Sequence, residues 1–252
     1  TGLDAQNTKM RVIANNLANV NTTGFKKDRA DFETLAYQQM IAAGANSDSQ
    51  NKFATGLNLG SGVALQGTSK LNTQGTLKDT GNALDMAIEG SGYFQVQKAD
   101  GSIAYTRAGN FSVTAEGTVV NSDGLPLIPQ ITVPQGATSI SIGNDGTVSA
   151  TLQGESEPSQ LGQIELASFM NPSGLQPIGG NLLVETAASG TPLTGVAGLE
   201  GRGVIRSGAL ETSNVNVVEE LVDMIETQRA YEVSSKMIKA TDEMLQYVNQ
   251  QL

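Results

Sequence analysis

The sequence contains no cysteine, no histidine and no tryptophan among its 252 residues. Without cysteine the chain forms no disulfide and no thiolate metal site, and without histidine it lacks the usual zinc and copper ligand and the usual general base. Phenylalanine and tyrosine are scarce, at 6 and 5 residues, so we expect a thin hydrophobic core. We therefore expect no cofactor, no metal and no catalytic site.

Positive charge is also in short supply. The chain has 15 basic and 25 acidic residues, a net charge of −10, and its one basic cluster is Lys26, Lys27 and Arg29. Phosphate contacts need more clustered Lys and Arg than this, so a nucleic-acid partner is not expected. No apolar run approaches the roughly 18 residues of a membrane span, and no signal peptide is recognisable, although the chain opens on Thr rather than Met.

A heptad repeat of apolar residues occupies the C-terminal end. One row has a period of seven, and Leu221 begins a second row beside it; the first row is Val217, Met224, Tyr231, Ile238, Leu245 and Leu252. Because no Gly or Pro interrupts the segment, the pattern predicts one helix from about 217 to the terminus, roughly 50 to 55 Å long.

The N-terminal end carries the same pattern on a smaller scale, at Leu3, Met10, Ile13, Leu17 and Val20. Residues 1–29 hold five basic and two acidic side chains, whereas 211–252 hold three basic and eight acidic ones, so charge favours pairing of the two ends. The pairing has two interpretations, an intramolecular hairpin that closes a domain or an assembly surface shared between copies. We call the twelve apolar residues of both ends the predicted seam.

The segment after the first helix is harder to assign. The helix should end near residues 19–24, and residues 25–40 fit either a short helix or an extended arm. Residues 42–62 are rich in Ala, Gly, Asn and Ser, which suits an exposed loop or a two-stranded arm. Its few large apolar residues, Phe53, Leu57 and Leu59, are the expected anchors of a contact with another subunit.

The middle of the chain changes to a period of two. Short strands are predicted at 93–97, 103–107, 111–114, 118–120, 139–142, 147–152, 163–169 and 181–185. Turn dipeptides separate them, at Asp100-Gly101, Glu116-Gly117, Asp123-Gly124 and Asp145-Gly146. The predicted fold class is segregated α and β: terminal helices (1–24 and 211–252) form a coiled-coil-like layer, 25–70 form a linking segment and extended arm, and 71–210 form an inserted all-β domain.

Few residues suggest chemistry. The turn Asn144-Asp145-Gly146 lacks the alternate acidic ligands and final Glu of a calcium loop, and Glu155 and Glu157 lie in a polar loop with nothing to raise a pKa. No phosphate-binding loop, dinucleotide loop or nucleophile elbow occurs. An N-terminal Thr1 nucleophile is the one enzymatic alternative, but Thr1 opens a heptad helix rather than a buried strand.

Each end of the chain carries a long sequence signature. The N-terminal signature is Ile13-Ala-Asn-Asn-Leu-Ala-Asn-Val-Asn-Thr-Thr-Gly-Phe-Lys26. The C-terminal one is Glu211-Thr-Ser-Asn-Val-Asn-Val-Val-Glu-Glu-Leu-Val-Asp-Met-Ile225, followed by Gln228-Arg-Ala-Tyr-Glu232. Both signatures resemble those of bacterial flagellar rod and hook proteins, and motifs similar to that family's β domain stand at 90–94, 105–111 and 169–175. Length, and a segment near 42–62 that looks like the distal rod insertion, resemble the distal rod type.

The resemblance implies a structural, non-enzymatic subunit of a helical homopolymer that acts as the drive shaft of the flagellar basal body and transmits torque to the hook. Its implied partners are copies of itself, proximal rod proteins, the hook protein, the ring bushing and the type III export apparatus, with no small-molecule substrate. It implies export without a cleaved signal and a location across the periplasm. The alternatives are another rod protein of similar length, a secreted β-domain adhesin with a coiled-coil stalk, or the Thr1 hydrolase.

Overall fold

The computed structural model describes residues 1–43, 54–154 and 157–251. The chain divides into two compact units, described here one at a time. The helix-and-arm unit contains Thr1–Leu17, Asp28–Ser69 and Val217–Leu252, and the β unit contains Ala18–Lys27 and Lys70–Asn216.

Among its described residues, the helix-and-arm unit contains two helices and four strands. In chain order they are α1 (Gly2–Ala18), β1 (Asp28–Thr34), β2 (Tyr37–Ile41), β3 (Leu57–Gly60), β4 (Val63–Lys70) and α2 (Val217–Gln251). Strand β1 pairs with β4, and β2 pairs with β3, so the segment that the sequence left open between helix and extended chain is extended. Within the described residues, no helix has the combination of length and apolar character needed to cross a membrane.

The described part of the β unit contains sixteen short strands. They are β5 (Leu77–Asp79), β6 (Met86–Glu89), β7 (Phe94–Gln97), β8 (Ile103–Thr106), β9 (Ser112–Val113), β10 (Val119–Val120), β11 (Leu127–Ile128), β12 (Ala137–Ile142), β13 (Thr147–Leu152), β14 (Ser159–Gln163), β15 (Glu165–Ser168), β16 (Gln176–Gly179), β17 (Leu182–Val184), β18 (Leu193–Val196), β19 (Val204–Ser207) and β20 (Ala209–Glu211), with a 3₁₀ turn at Pro172–Gly174. An antiparallel sheet has the order β11-β7-β8-β17-β16, and β12-β13-β14 form another. The remaining strands pair as β15-β18, β19-β6, β20-β5 and β10-β9.

The turn dipeptides predicted from sequence are confirmed as turns. Gly101, Gly117, Gly124 and Gly146 have φ values of 82°, 86°, 77° and 86°, a region that glycine adopts without a Cβ penalty. Every predicted strand overlaps an observed one. Terminal helices flanking a mostly β middle therefore confirm the segregated fold class.

The core of the β unit is small in aromatic content and consists of two clusters of buried residues. Phe94 and Phe111 meet edge to face with ring centroids 5.2 Å apart, and aliphatic residues from several sheets surround them: Met86, Ile88, Val96, Leu127, Ile131, Ile164, Leu166 and Ile205. A second cluster packs Tyr105 against Phe169 at 4.8 Å, also edge to face. The aromatic side chains of the core are thus divided between two clusters.

One glycine of the β unit has no room for a side chain. The Met86 amide donates to the Gly109 carbonyl at 2.9 Å, and a Cβ at Gly109 would overlap the Met86 carbonyl oxygen. We expect Gly109→Ala to lower the free energy of unfolding by about 3 kcal/mol, because the backbone at β6 must move. Urea unfolding measures the loss. Gly67→Ala is the matched control, since Gly67 has open space around it; equal midpoints for the two variants would contradict the prediction.

Candidate assembly surfaces

The long helix α2 forms because its 35 residues contain neither Gly nor Pro. Glu219 and Glu220 lie in its first turn, where carboxylates interact favourably with the positive end of the helix dipole. At 1.5 Å per residue, α2 is about 52 Å long, roughly twice the length of α1. Helix α1 is therefore too short to cover the whole of α2.

Most of the predicted seam on α2 is open to solvent in the single chain. Met224 is half-buried, and the other described members are exposed by 39% to 59%: Val217, Leu221, Tyr231, Ile238 and Leu245. Leu252 lies outside the described residues. On α1, Ile13 is buried at 4%, whereas Leu3, Met10 and Leu17 are half-buried; Val20, also half-buried, lies beyond the end of this helix at Ala18.

A second apolar row runs along another side of α2. Its exposed members are Val218, Val222, Ile225, Val233, Met237, Met244 and Val248. Residues 218, 222 and 225 have the four-then-three spacing of one helix face, which was the available signal. Helix α2 thus presents apolar side chains on two sides.

The side of α2 that the chain itself covers is polar. Glu220 and Thr227, seven residues apart, are exposed by only 1% and 2%. Asn16 of α1, also 1% exposed, donates from Nδ2 to Glu220 Oε2 at 3.2 Å. The same amide group bonds to both backbone groups of Asp28, as donor to its carbonyl and as acceptor from its N–H, at 2.9 Å each. Asn16 therefore links α1 to α2 and to the start of β1.

The arm ends in a two-stranded ribbon with exposed apolar residues. In β2 and β3, Gln38 lies opposite Leu59 and Ile41 lies opposite Leu57, with an irregularity between residues 39 and 41. Tyr37 and Met40 are each 64% exposed, and Leu57 and Leu59 are each 48% exposed. Phe53, the third predicted anchor, lies outside the described residues. The ribbon therefore keeps apolar side chains available at the position where the sequence predicted a contact.

Two connectors, which belong to the β unit, lead to the helices, and hydrogen bonds join the connectors to each other. The N-terminal connector comprises residues 19–27, and the C-terminal connector comprises 211–216. The Gly24 amide donates to the Glu211 carbonyl at 2.8 Å. Three residues further along each connector, the Lys27 amide donates to Asn214 Oδ1 at 2.7 Å.

A buried charge cluster reinforces these bonds. Lys26 Nζ donates to Glu211 Oε1 at 2.6 Å and to the Thr73 carbonyl at 2.8 Å. Arg107 Nη1 donates to Glu211 Oε2 at 3.4 Å. The side chains of Lys26, Arg107 and Glu211 are only 5%, 7% and 0% exposed. Burial lowers the pKa of Lys26 below its ordinary value, and the hydrogen bond to Glu211 opposes that shift.

We call the six residues Gly24, Lys26, Lys27, Arg107, Glu211 and Asn214 the connector clasp. Sequence reasoning missed it, because it considered Lys26 only as part of a small basic cluster and assigned Glu211 and Asn214 to the terminal helical domain. The available signal was that both family-like signatures extend beyond the helices into these positions. Gly24 is constrained too, since its φ is 67° and a Cβ there would crowd the Arg107 backbone.

The candidate chemical sites that lie within the described residues form ordinary structural elements. Asp145 Oδ1 accepts from the Thr147 amide at 3.0 Å and Gly146 N donates to the Gly143 carbonyl, so this segment is a turn. Among the described residues, no cluster of acidic side chains could hold a metal ion. Glu155 lies outside them. The Thr1 amine lies 3.7 Å from Asp4 Oδ2 at an exposed helix start.

The exposure of α2 leads us to predict the order in which a protease cleaves the monomer. We expect trypsin to cleave first at Arg229, Lys236 and Lys239, because their helix has few covering contacts, and to leave the β unit as a resistant fragment. Mass spectrometry of a short digestion of the monodisperse monomer identifies the order of cleavage. Arg206, in β19 of the β unit, is an internal control. An α2 as resistant as Arg206 would instead support a closed hairpin of the two ends.

Comparisons with known proteins agree with this architecture. Residues 1–26 match the family model "Flagella basal body rod protein", 87–150 match "Flagellar hook protein FlgE/F/G D1 domain", and 206–251 match "Flagellar basal body rod FlgEFG protein C-terminal". The three matched segments fall on α1, the β unit and α2. The matched segments therefore include residues 19–26 of the N-terminal connector and the whole of the C-terminal connector.

Full-length relatives agree with the family models. The flagellar basal-body rod protein FlgG of Buchnera aphidicola subsp. Acyrthosiphon pisum is 51% identical over 99% of this chain and 96% of its own length. The FlgG proteins of Agrobacterium fabrum and Bacillus subtilis are 45% and 40% identical over 100% and 98% of this chain, and 97% and 94% of their own lengths. FlgF of Caulobacter vibrioides is 35% identical over 96% of this chain and 92% of its own length. The chain therefore belongs to the flagellar basal-body rod protein family, and it is a structural protein rather than an enzyme.

Proposed function

We propose that this chain polymerises into the distal rod of the flagellar basal body and transmits motor torque to the hook. The observation that carries the proposal is its similarity to FlgG proteins along their whole length, at 40% to 51% identity, against 35% for a FlgF protein. The difference favours the distal rod type over the other rod protein of similar length. The adhesin and Thr1 hydrolase alternatives have no such support.

The terminal helices are the proposed inner wall of the polymer. A single chain leaves two apolar sides of α2 open, and its own contact at Glu220 is polar. Exposed apolar side chains that recur along a helix in this way are typical of a surface that a partner covers. We propose that α1 and α2 form coiled-coil-like contacts along the predicted seam, between copies as well as within one. In this proposal 1–24 and 211–252 form the inner layer and 71–210 the outer one.

The arm, residues 25–70, is the proposed contact between neighbouring subunits. Its outer ribbon carries Tyr37, Met40, Leu57 and Leu59 into solvent. Both β2 and β3 belong to a two-stranded sheet, so each has one edge available for backbone pairing. An arm held by its apolar anchors to the next subunit would oppose sliding along the shaft.

The proposed partners and location follow from the proposed place in the basal body. Proximal rod proteins and the hook protein would contact the two ends of the polymer, and the ring bushing would surround it. The type III apparatus would export the chain without a cleaved signal, and the rod would cross the periplasm.

Electron microscopy of the purified protein tests the central claim. We expect straight tubes with a helical lattice when concentrated monomer assembles, and no tubes from a chain that lacks 217–252. Discrete small oligomers or curved, hook-like polymers from the intact chain would contradict the distal rod assignment.

A further inference from the structure

We infer that the connector clasp is a mechanical clamp, which carries tension between the two helical ends of a subunit and keeps it off the chain between the two connectors. The clasp closes the chain into a loop, because Gly24 and Lys26 bond to Glu211 across 187 and 185 residues of sequence. A pull on the N-terminal end and the C-terminal end reaches these bonds before it reaches the strands between them. The strands between the connectors therefore lie on a branch of the chain that is shielded from the tension.

The direction of the connectors decides how the clasp resists that pull. A backbone bond joins residue 24 to residue 211, and the bond from the Lys27 amide to the Asn214 side chain joins 27 to 214, so both connectors advance by three residues and run parallel. In a parallel pair, pulling the start of one segment against the end of the other slides them past each other. All bonds then share the tension, whereas antiparallel segments would open one bond at a time.

The bonds that share the tension include charge-assisted ones. Lys26 and Arg107 both donate to Glu211 in a site shielded from water, and charge-assisted bonds are about twice as strong as neutral ones. The anchor points are fixed on the β unit as well. Gly75 N donates to Glu211 Oε1 at 2.9 Å, and Asn214 Nδ2 donates to the Leu71 carbonyl at 2.8 Å.

Charge alone does not account for this arrangement. A buried ion pair is often no more stabilising than apolar residues of the same size, so its contribution to equilibrium stability is a weak explanation. Resistance of the clasp to a force applied along one direction is a property separate from its contribution to equilibrium stability. The use of that property in a rotating rod rests on the proposed function, but the clamp itself belongs to the isolated chain.

Single-molecule force spectroscopy of the full chain tests the clamp. With handles at the two chain ends, we expect one main rupture with a gain of about 600 Å, the length of the roughly 180 enclosed residues. Glu211→Gln should raise the rupture rate at fixed force about tenfold to a hundredfold, because Lys26 and Arg107 lose their counter-charge. Asp79→Asn, which removes the exposed ion pair with Arg206, should change the rate less than about twofold.

A second pulling geometry separates a clamp from general destabilisation. The chain has no cysteine, so handles attach uniquely to Glu116→Cys and Gln153→Cys, two exposed positions within the β unit. Tension then bypasses the clasp, and Glu211→Gln should raise the rate far less than it does with end handles. Equal acceleration in both geometries would overturn the clamp. If Glu211→Gln does not fold, Asn214→Ala takes its place, with the same expected contrast between geometries.

The two proposals fail separately. A chain with no directional clamp that still assembles into straight tubes would overturn only the clamp. A directional clamp in a chain that forms no tubes would overturn only the proposed function.

Discussion

We expect Ile238→Asp to abolish polymerisation while both units of the monomer stay folded. Ile238 is 50% exposed in the single chain, so the substitution removes little from the monomer itself. In an assembled seam, burying an Ile contributes about 1.5 to 3 kcal/mol per subunit, and a carboxylate in the same place costs more. Because each 1.4 kcal/mol is a factor of ten, the concentration needed for assembly should rise at least about a hundredfold.

The control for this variant carries the same new charge on the same helix. Thr241→Asp lies three residues further along α2, off the predicted seam, and should assemble normally. Sedimentation and electron microscopy measure assembly, and complementation of a motility-deficient strain measures function. Ile13→Asp should also block assembly, but Ile13 is 4% exposed, so this variant loosens the helix-and-arm unit as well. Normal tubes from Ile238→Asp would remove the seam as an assembly surface.

Deleting residues 45–61 should leave a soluble, export-competent subunit whose polymers bend or grow curved like a hook. The deletion removes β3 and leaves β2 without its partner. Strand β1 and its partner β4 both remain. A tube bends only if its subunits slide along its length, and the arm is the proposed obstacle to sliding. The β core should be unaffected, because no strand of the β unit is deleted.

A less drastic variant separates the arm's apolar anchors from its length. Leu57→Ser combined with Leu59→Ser keeps every residue in place and removes two exposed anchors, each 48% exposed. We expect this double variant to give tubes of lower persistence length than the intact chain, and the deletion to give the lowest. Electron micrographs of negatively stained tubes measure both. Straight, equally stiff tubes from the deletion would show that rigidity comes from the helices and β strands alone.

The elements that the sequence predicted well are those with a local cause. The start of α2 at Val217 follows from an uninterrupted heptad, and the hairpin turns follow from glycines that need positive φ. Strand β6 was missed because Met86, Ala87 and Ile88 are all buried, so the period of two disappears. Strand β19 was missed because its residues, Val-Ile-Arg-Ser, do not alternate between apolar and polar.

The features that escaped prediction depend on residues far apart in sequence. Lys26, Arg107 and Glu211 each look like solvated surface charges, and only the fold brings them together. The sequence also failed to predict that the covered side of α2 is polar, for a related reason. Glu220 and Thr227 follow a heptad spacing, but polar residues at that spacing ordinarily mark the solvent side of a helix. The predicted seam itself stays a prediction, because a single chain does not contain the partner that would cover it.

The clasp also has a kinetic consequence. Its partners lie 185 and 104 residues apart, so they meet only after long loops have closed, and closing such loops costs entropy before any bond forms. Chains with many contacts between distant residues fold slowly, whereas a helix such as α2 forms from neighbours and relaxes within microseconds. A newly released subunit would therefore have helical ends well before its β unit is complete. The interval between those two events is a time in which the subunit can meet the growing end of a polymer with its middle still unfinished.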